Sequence, residues 1–399
     1  MRKIETMQVT TSVFLRKGAQ HRVESGHPWV YQSELDYIDG EFEPGDIVDV
    51  YNFRQKFIGR GYINPRSQII VRLLSREQEP IDREFFKKRI QTAWKYRQTF
   101  ISEPEYCRLV YGEADFLPAL IVDKFGPYMV IQTLALGIDV HKDTIVSVLD
   151  ELFQPEGIYE RNDVPVRRLE GLPEVKGYLK GDFPTEIKVL ENGIPFYADI
   201  KEGQKTGFFY DQRENRVFLK PFIRDAEVLD CFCHTGSFAV HAALYGAKKI
   251  TSIDISAEAI ELAKKNAELN GVAAVCDFQV ANAFDALRSM AEEQRQFDVV
   301  ILDPPAFTKS RHALEGAARG YKEINLRGLK MVRPGGFLVT CSCSFHMGRD
   351  LFQAIVADAA RDAKRVIRQV EYRTQAKDHP ILPSAAETEY LKFLVVQVF

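Results

Sequence analysis

The chain has 399 residues, with 53 Lys and Arg against 56 Asp and Glu and a formal net charge of −3. That length holds two or three domains, and the charge balance counts mildly against coating nucleic acid by bulk charge while leaving room for a local basic face. No apolar run reaches the roughly 20 residues of a membrane helix, Met1-Arg2-Lys3-Ile4-Glu5 lacks a secretory stretch, and six cysteines are too few for a disulfide framework; a cytoplasmic protein with reduced thiols is expected.

Residues 1–76 read as a small β-rich domain. The runs Ile47-Val48-Asp49-Val50-Tyr51 and Ile69-Ile70-Val71-Arg72-Leu73-Leu74 are separated by the turn residues Pro44-Gly45-Asp46 and Asn64-Pro65. After the polar break Glu77-Gln78-Glu79-Pro80, the spacing of Phe86, Ile90, Ala93 and Trp94 predicts a helix from Arg83 to about Phe100. Strand-like runs at 118–122 and 128–132 and a helix from Lys142 to Phe153 complete an α+β segment over 77–182. Its Gly- and charge-rich end, Arg167 to Gly181, reads as a linker or mobile loop.

Asn192-Gly193 between two strand-like runs signals a type I′ hairpin. From there strands and helices alternate, which means a mostly parallel sheet. Strands are predicted at Val228–Asp230, Lys249–Asp254, Phe297–Leu302, Phe337–Thr340, Val366–Tyr372 and Tyr390–Val398. A helix fits Ser237 to Leu244; the next has Ser256 as N-cap, Glu258 and Glu261 early, and Gly271 at its stop. The fold class is α/β for 183–399.

In a doubly wound sheet the ligand lies beyond the carboxyl ends of the strands. The first strand ends Asp230-Cys231-Phe232-Cys233-His234-Thr235-Gly236, with one glycine where a dinucleotide fingerprint has three for pyrophosphate. Asp254 ends the second strand, where a carboxylate can accept from both ribose hydroxyls, and Thr235-Gly236 opens a helix whose amides favour a carboxylate. Asn282, after the third strand, can donate to and accept from an adenine edge. A ligand with a ribose and a carboxylate but no phosphate, S-adenosylmethionine, fits better than NAD. The candidate cofactor residues are Asp230, Phe232, His234, Thr235, Gly236, Asp254, Ile255, Asn282, Ala283 and Asp303. The bland alternative is an α/β domain in which Asp254 merely caps the next helix.

Asp303-Pro304-Pro305-Ala306-Phe307 follows the fourth strand, where two prolines fix an extended turn and Phe307 can stack on a flat ring. That suits a nucleobase flipped out of its stack. Thr340-Cys341-Ser342-Cys343-Ser344 ends the fifth strand. A strand Cys-x-Cys is a poor chelate, so no metal is expected. A nucleophile fits the chemistry instead: carbon 5 of a pyrimidine gains carbanion character only after a thiolate adds to carbon 6. Two small buried hydrophobes at a strand end would be the structural alternative. Arg16, Lys17 and Arg22, and Lys309 and Arg311 after the base loop, are candidate phosphate ligands, although such residues are more often solvated surface charges.

At these residues the sequence resembles the bacterial 23S rRNA large-subunit methyltransferase I family, which makes 5-methylcytosine. Arg22-Val23-Glu24-Ser25-Gly26-His27-Pro28-Trp29-Val30-Tyr31 resembles the opening of that family's PUA domain, and residues 77–182 resemble its central domain. The run from Gly203 to Arg213, the Asp303–Phe307 loop and the Thr340–Ser344 motif resemble its cofactor-entry, base-pocket and cysteine motifs. The resemblance implies a Rossmann-like class I methyltransferase domain with a seven-stranded, mostly parallel sheet over 183–399. Before it would come a small β-barrel-like PUA domain (1–76) and the α+β domain (77–182). It implies S-adenosylmethionine as cofactor, RNA as partner, no membrane and a homodimer. It also implies that Lys205, Thr206, Phe209 and Arg213 border the cofactor, that Cys341 is the nucleophile with Cys343 as runner-up, and that Asp303 bonds the cytosine. Pro304, Pro305, Phe307, Lys309 and Arg311 would meet the substrate. Asn282 stands where the family usually has Asp, and Cys231-Phe232-Cys233-His234 replaces a Phe-Ser-Tyr-like stretch. Rival readings are a uracil-C5 methylase, an exocyclic-amine methylase, or a non-catalytic RNA-binding protein.

Overall fold

Short β-branched runs broken by Gly and Pro favour antiparallel pairing, and the first part of the chain pairs mostly so, with Ser12–Leu15 against Ile47–Tyr51 and Tyr128–Thr133 against Gly157–Asn162 as parallel exceptions. A computed structural model describes residues 9–308 and 311–399. The chain forms two units: residues up to Ile187 with 199–208 and 377–388, and 188–198 with 209–376 and 389–399. In the first unit six strands between Ser12 and Ser75 make one sheet, and five between Tyr106 and Lys180 make another. The predicted helices Arg83–Phe100 and Lys142–Phe153 are present.

The segment expected to be a linker is not one. Val175–Lys180 pairs antiparallel with Gly157–Asn162, and just before it Glu170 is buried, accepting from Arg72 Nη1 at 2.9 Å, Ser67 Oγ at 2.6 Å and Asn64 Nδ2 at 2.9 Å. Arg167 and Glu170 are spent on buried pairs inside the unit, and Arg168, Lys176 and Lys180 on pairs nearer the surface, a use that composition does not reveal. Arg22 is likewise engaged, donating to Glu34 Oε2 at 2.7 Å and to the Trp29 carbonyl at 2.9 Å, so the candidate phosphate ligand is a structural ion pair; Arg16 and Lys17 are exposed.

Asn192 and Gly193 both take positive φ (53° and 78°), as a type I′ turn requires, between strands Glu186–Glu191 and Ile194–Asp199. In the second unit the strands are β1 Glu227–Cys231, β2 Lys249–Asp254, β3 Cys276–Val280, β4 Phe297–Leu302, β5 Val332–Ser342, β6 Ile367–Arg373 and β7 Lys392–Val398. The helices between them are α1 Ser237–Leu244, α2 Ala257–Leu269, α3 Ala283–Glu292, α4 Leu314–Met331 and α5 Arg349–Asp362. The sheet order is β3-β2-β1-β4-β5-β7-β6, parallel from β3 to β5, with β7 antiparallel to both neighbours. This is the seven-stranded, mostly parallel sheet expected. Two apolar clusters cover its faces: Leu229, Leu302, Tyr321 and Phe352 on one, Val228, Val299, Cys341 and Phe393 on the other.

Two details differ from the sequence reading. The strand expected to begin at Phe337 begins at Val332, with Pro334-Gly335-Gly336 inside it as a bulge, the register against β4 jumping from Phe297↔Val332 to Val299↔Phe337. The strand stops at Ser342, so Cys343 lies beyond its end and does not share a strand face with Cys341.

Candidate active site

Strand order reverses at β1, whose neighbours are β2 and β4, and this opens a crevice at their carboxyl ends. The loop after β1 is built by backbone conformation. Phe232, His234 and Gly236 take φ of 64°, 50° and 77°, alternating through the left-handed region. Gly236 is N-cap of α1, and a Cβ there would come within 3.0 Å of the Ala263 Cβ. Asp254 holds the loop in place, accepting from the His234 amide at 2.9 Å and the Ser256 amide at 3.0 Å. Phe209 packs edge-on against His234, ring centres 4.9 Å apart. Ile255 beside Asp254 is 70% exposed, an apolar surface open to a flat ligand.

Asp230 is fully buried, and neither of its oxygens makes a hydrogen bond of ordinary geometry among the described residues; only the Ala239 amide at the start of α1 lends it weak support. Burial first, then the charges of Asp303 and Asp254, push its carboxyl well above the usual range. Three mutually repelling carboxylates at the strand ends disfavour a phosphate and favour a cation. S-adenosylmethionine brings a sulfonium and an ammonium, so the residues fit it.

Asn282 is exposed and caps α3, its Oδ1 accepting from the Phe284 amide at 2.9 Å, which leaves the side-chain NH2 as a donor. Ala283 is buried behind it. Arg213 lies over the Tyr210 ring at 5.2 Å. Lys205 and Thr206 group with the first unit and rest on the sequence resemblance alone.

On the other side of β1, Asp303 accepts from Gln212 Nε2 at 3.1 Å. Burial, and then the Asp211 charge, push its carboxyl up to about 6. Pro304 is buried and Pro305 exposed. Phe307, expected to stack on a base, packs instead between Phe284 and Tyr321 at 5.7 and 4.6 Å, because α4 offers it an aromatic neighbour. Lys309 lies outside the described residues, as does the side chain of Arg311.

The two cysteines differ. Cys341 is fully buried in the sheet, and burial together with the Asp303 charge pushes its thiol well up. Cys343 is half-buried, its Sγ 3.7 Å from the Pro304 carbonyl. Their turn is fixed by α4: Ser342 Oγ donates to Tyr321 Oη at 2.9 Å, and Ser344 Oγ is 3.1 Å from the same oxygen. Among the described residues no cluster of His, Cys, Asp and Glu has metal-site geometry. The cavity of about 220 Å³ among Glu227, Lys249, Thr251 and Phe297 lies at the opposite ends of the strands, away from these groups.

Sequence reasoning missed three residues. Gln212 lay in a motif but had no assigned task, Tyr321 lay in a stretch given no element, and Lys392 was one cation within a predicted apolar strand.

Residues 13–76 match the PUA-like domain family and 173–395 the S-adenosylmethionine-dependent methyltransferases. A ribosomal RNA large subunit methyltransferase I from Tolumonas auensis is 42% identical over 98% of this chain and 100% of its own length. Its namesake from Vibrio cholerae is also 42% identical, with the same coverage. This chain belongs to the ribosomal RNA large subunit methyltransferase I family. As a member it carries a PUA-like domain and a methyltransferase domain, and its cofactor is S-adenosylmethionine. A solved Streptococcus mutans protein, assigned as a SAM-dependent methyltransferase, superposes with a TM-score of 0.82 at 21% identity, over 98% of this chain and 100% of its own. Another methyltransferase candidate, solved with SAH, gives 0.83 at 20% with the same coverage. At that identity they show the fold alone. Among the described residues no helix is long and apolar enough to cross a membrane.

Proposed function

We propose that this chain methylates carbon 5 of a cytosine in large-subunit ribosomal RNA through a cysteine adduct at carbon 6. One observation carries the reading: thiols at the end of β5 lie against the Asp-Pro-Pro loop at the end of β4, Cys343 3.7 Å from the Pro304 carbonyl. An amine methylase needs no sulfur there. The relatives' names supply the RNA, and the PUA-like domain over residues 13–76 is a module suited to hold it.

In this reading Asp254 accepts from the ribose hydroxyls and Asn282 offers its NH2 to the adenine. The Thr235–Gly236 turn takes the carboxylate of the methionine moiety, and Asp230 faces its ammonium. Bound S-adenosylmethionine supplies the methyl group as an electrophile. A thiolate of this chain adds to carbon 6, and the displaced π pair makes carbon 5 nucleophilic. Asp303, holding a proton up to about pH 6, hydrogen-bonds the base edge as charge shifts within the ring. After methylation, loss of the carbon 5 proton to a base re-forms the double bond and expels the thiolate.

The test is nucleoside mass spectrometry of unmodified large-subunit RNA incubated with the protein and labelled cofactor. Labelled 5-methylcytosine is expected, lost in a Cys341→Ala/Cys343→Ala double variant. Label on uracil or on an exocyclic nitrogen, or turnover in the double variant, would overturn the reading.

A further inference from the structure

Lys392 is the first residue of β7 and is buried. It pairs across the antiparallel register with Ser342, next to Cys343. Its Nζ donates to the Ser344 and Tyr390 carbonyls, both at 2.6 Å, and among the described residues it forms no ion pair. A buried ammonium held only by neutral carbonyls is costly unless a negative charge forms beside it. The anionic groups acting on Lys392 are Cys343 and Glu389. Those acting around the thiols are Asp303 and Tyr321: Asp303 bears on Cys341, and Tyr321 feels Cys343. Of the two sulfurs, Cys341 is sealed in the core beside a carboxylate, where a thiolate is disfavoured, whereas Cys343 is half-buried beside a cation.

We propose that Lys392 is a positioning residue that holds Cys343, rather than Cys341, as the reactive thiolate. This rests on the cysteine-adduct reading above and names its sulfur, where the resemblance pointed to Cys341. The Cys343 S–H bond breaks with its electron pair kept on sulfur, and the proton leaves to solvent. That pair then forms the bond to carbon 6 while the ring π pair moves to carbon 5. Throughout, Lys392 stays protonated and anchored by the two carbonyls. Burial pulls its ammonium down to about 8, the Cys343 charge opposing, so the pair is coupled in both directions.

The test is site-resolved alkylation of the full chain with iodoacetamide across about pH 5.5–9.5, a range that brackets the ordinary thiol value, read by peptide mass spectrometry. Cys343 is expected to react fastest, and Cys341 to stay unmodified while the protein is folded. Lys392→Met should raise the Cys343 midpoint by about one pH unit, a roughly tenfold loss of rate at pH 7. Lys392→Arg should hold it near the parent value. An unmoved midpoint in a folded Lys392→Met variant, or Cys341 outrunning Cys343, would overturn the proposal. Should Lys392→Met fail to fold, Cys343→Ala supplies the reciprocal measurement. Amine acetylation of Lys392 should then shift to lower pH, and no shift would also overturn it. The adduct reading fails separately, if RNA carrying 5-fluorocytosine traps neither thiol.

Discussion

The two edges of β1 hold their residues by different means. On the β2 side the loop is made of backbone: three left-handed residues in alternation and a carboxylate accepting two amides. On the β4–β5 side the thiol turn is made of side chains drawn from α4, β7 and the segment before β1: Tyr321, Lys392 and Gln212. A backbone-built edge tolerates exchange of its side chains, and this chain carries Cys231-Phe232-Cys233-His234 there. A side-chain-built edge depends on each partner.

That contrast can be broken by substitution. The largest effect is expected at Asp254→Ala, which removes both loop hydrogen bonds and, in the proposed reading, the ribose acceptor. Cofactor affinity by calorimetry should fall by about 100-fold, since hydrogen bonds to a charged group contribute ~1.5–3 kcal/mol each. A smaller loss than at Phe232→Ala would reverse the assignment of that edge.

Asp303→Asn is expected next. The folded carboxyl keeps its proton up to about 6, whereas an unfolded one releases it near 4, so ionisation costs stability at neutral pH. The variant should gain up to ~2 kcal/mol at pH 7–8, an upper bound because the side chain is partly exposed. The gain should shrink as pH falls through 6 and vanish below about 4, and urea unfolding at several pH values reads it. A gain that grows on acidification would sink the account.

Tyr321→Phe should cost ~1–2 kcal/mol by stranding Ser342 and Ser344 hydroxyls, and should raise alkylation of the thiols without changing cofactor affinity. The smallest effect is at Asn282. Ala should cost ~1 kcal/mol in melting experiments by loss of the α3 cap, whereas Asp keeps the cap. Equal losses for the two would mean the cap is not what Asn282 provides.

The same contrast explains what was legible. Strand-end carboxylates, the hairpin at Asn192-Gly193 and the Ser256 cap follow from local periodicity and turn chemistry, so Asp230, Asp254 and Asp303 could be placed from sequence. Partners brought together across long stretches leave no local trace. Lys392 comes to the Cys343 turn only through the β5–β7 register, and Glu170 reaches Asn64, Ser67 and Arg72 across some hundred residues. Phe307 read as a base platform because α4's Tyr321 could not be aligned with it in advance.

Because β7 slots between β5 and β6, the strand that bears Cys341 and leads into Cys343 finds its outer neighbour roughly fifty residues further along the chain, with β6 already passed. Until that insertion, Phe337–Ser342 is a raw hydrophobic edge. The thiol turn therefore matures last: in pulsed hydrogen exchange during refolding, amides of β5 and β7 should gain protection together and after those of β1 and β2. The protein would be safeguarded from premature chemistry by its own order of assembly.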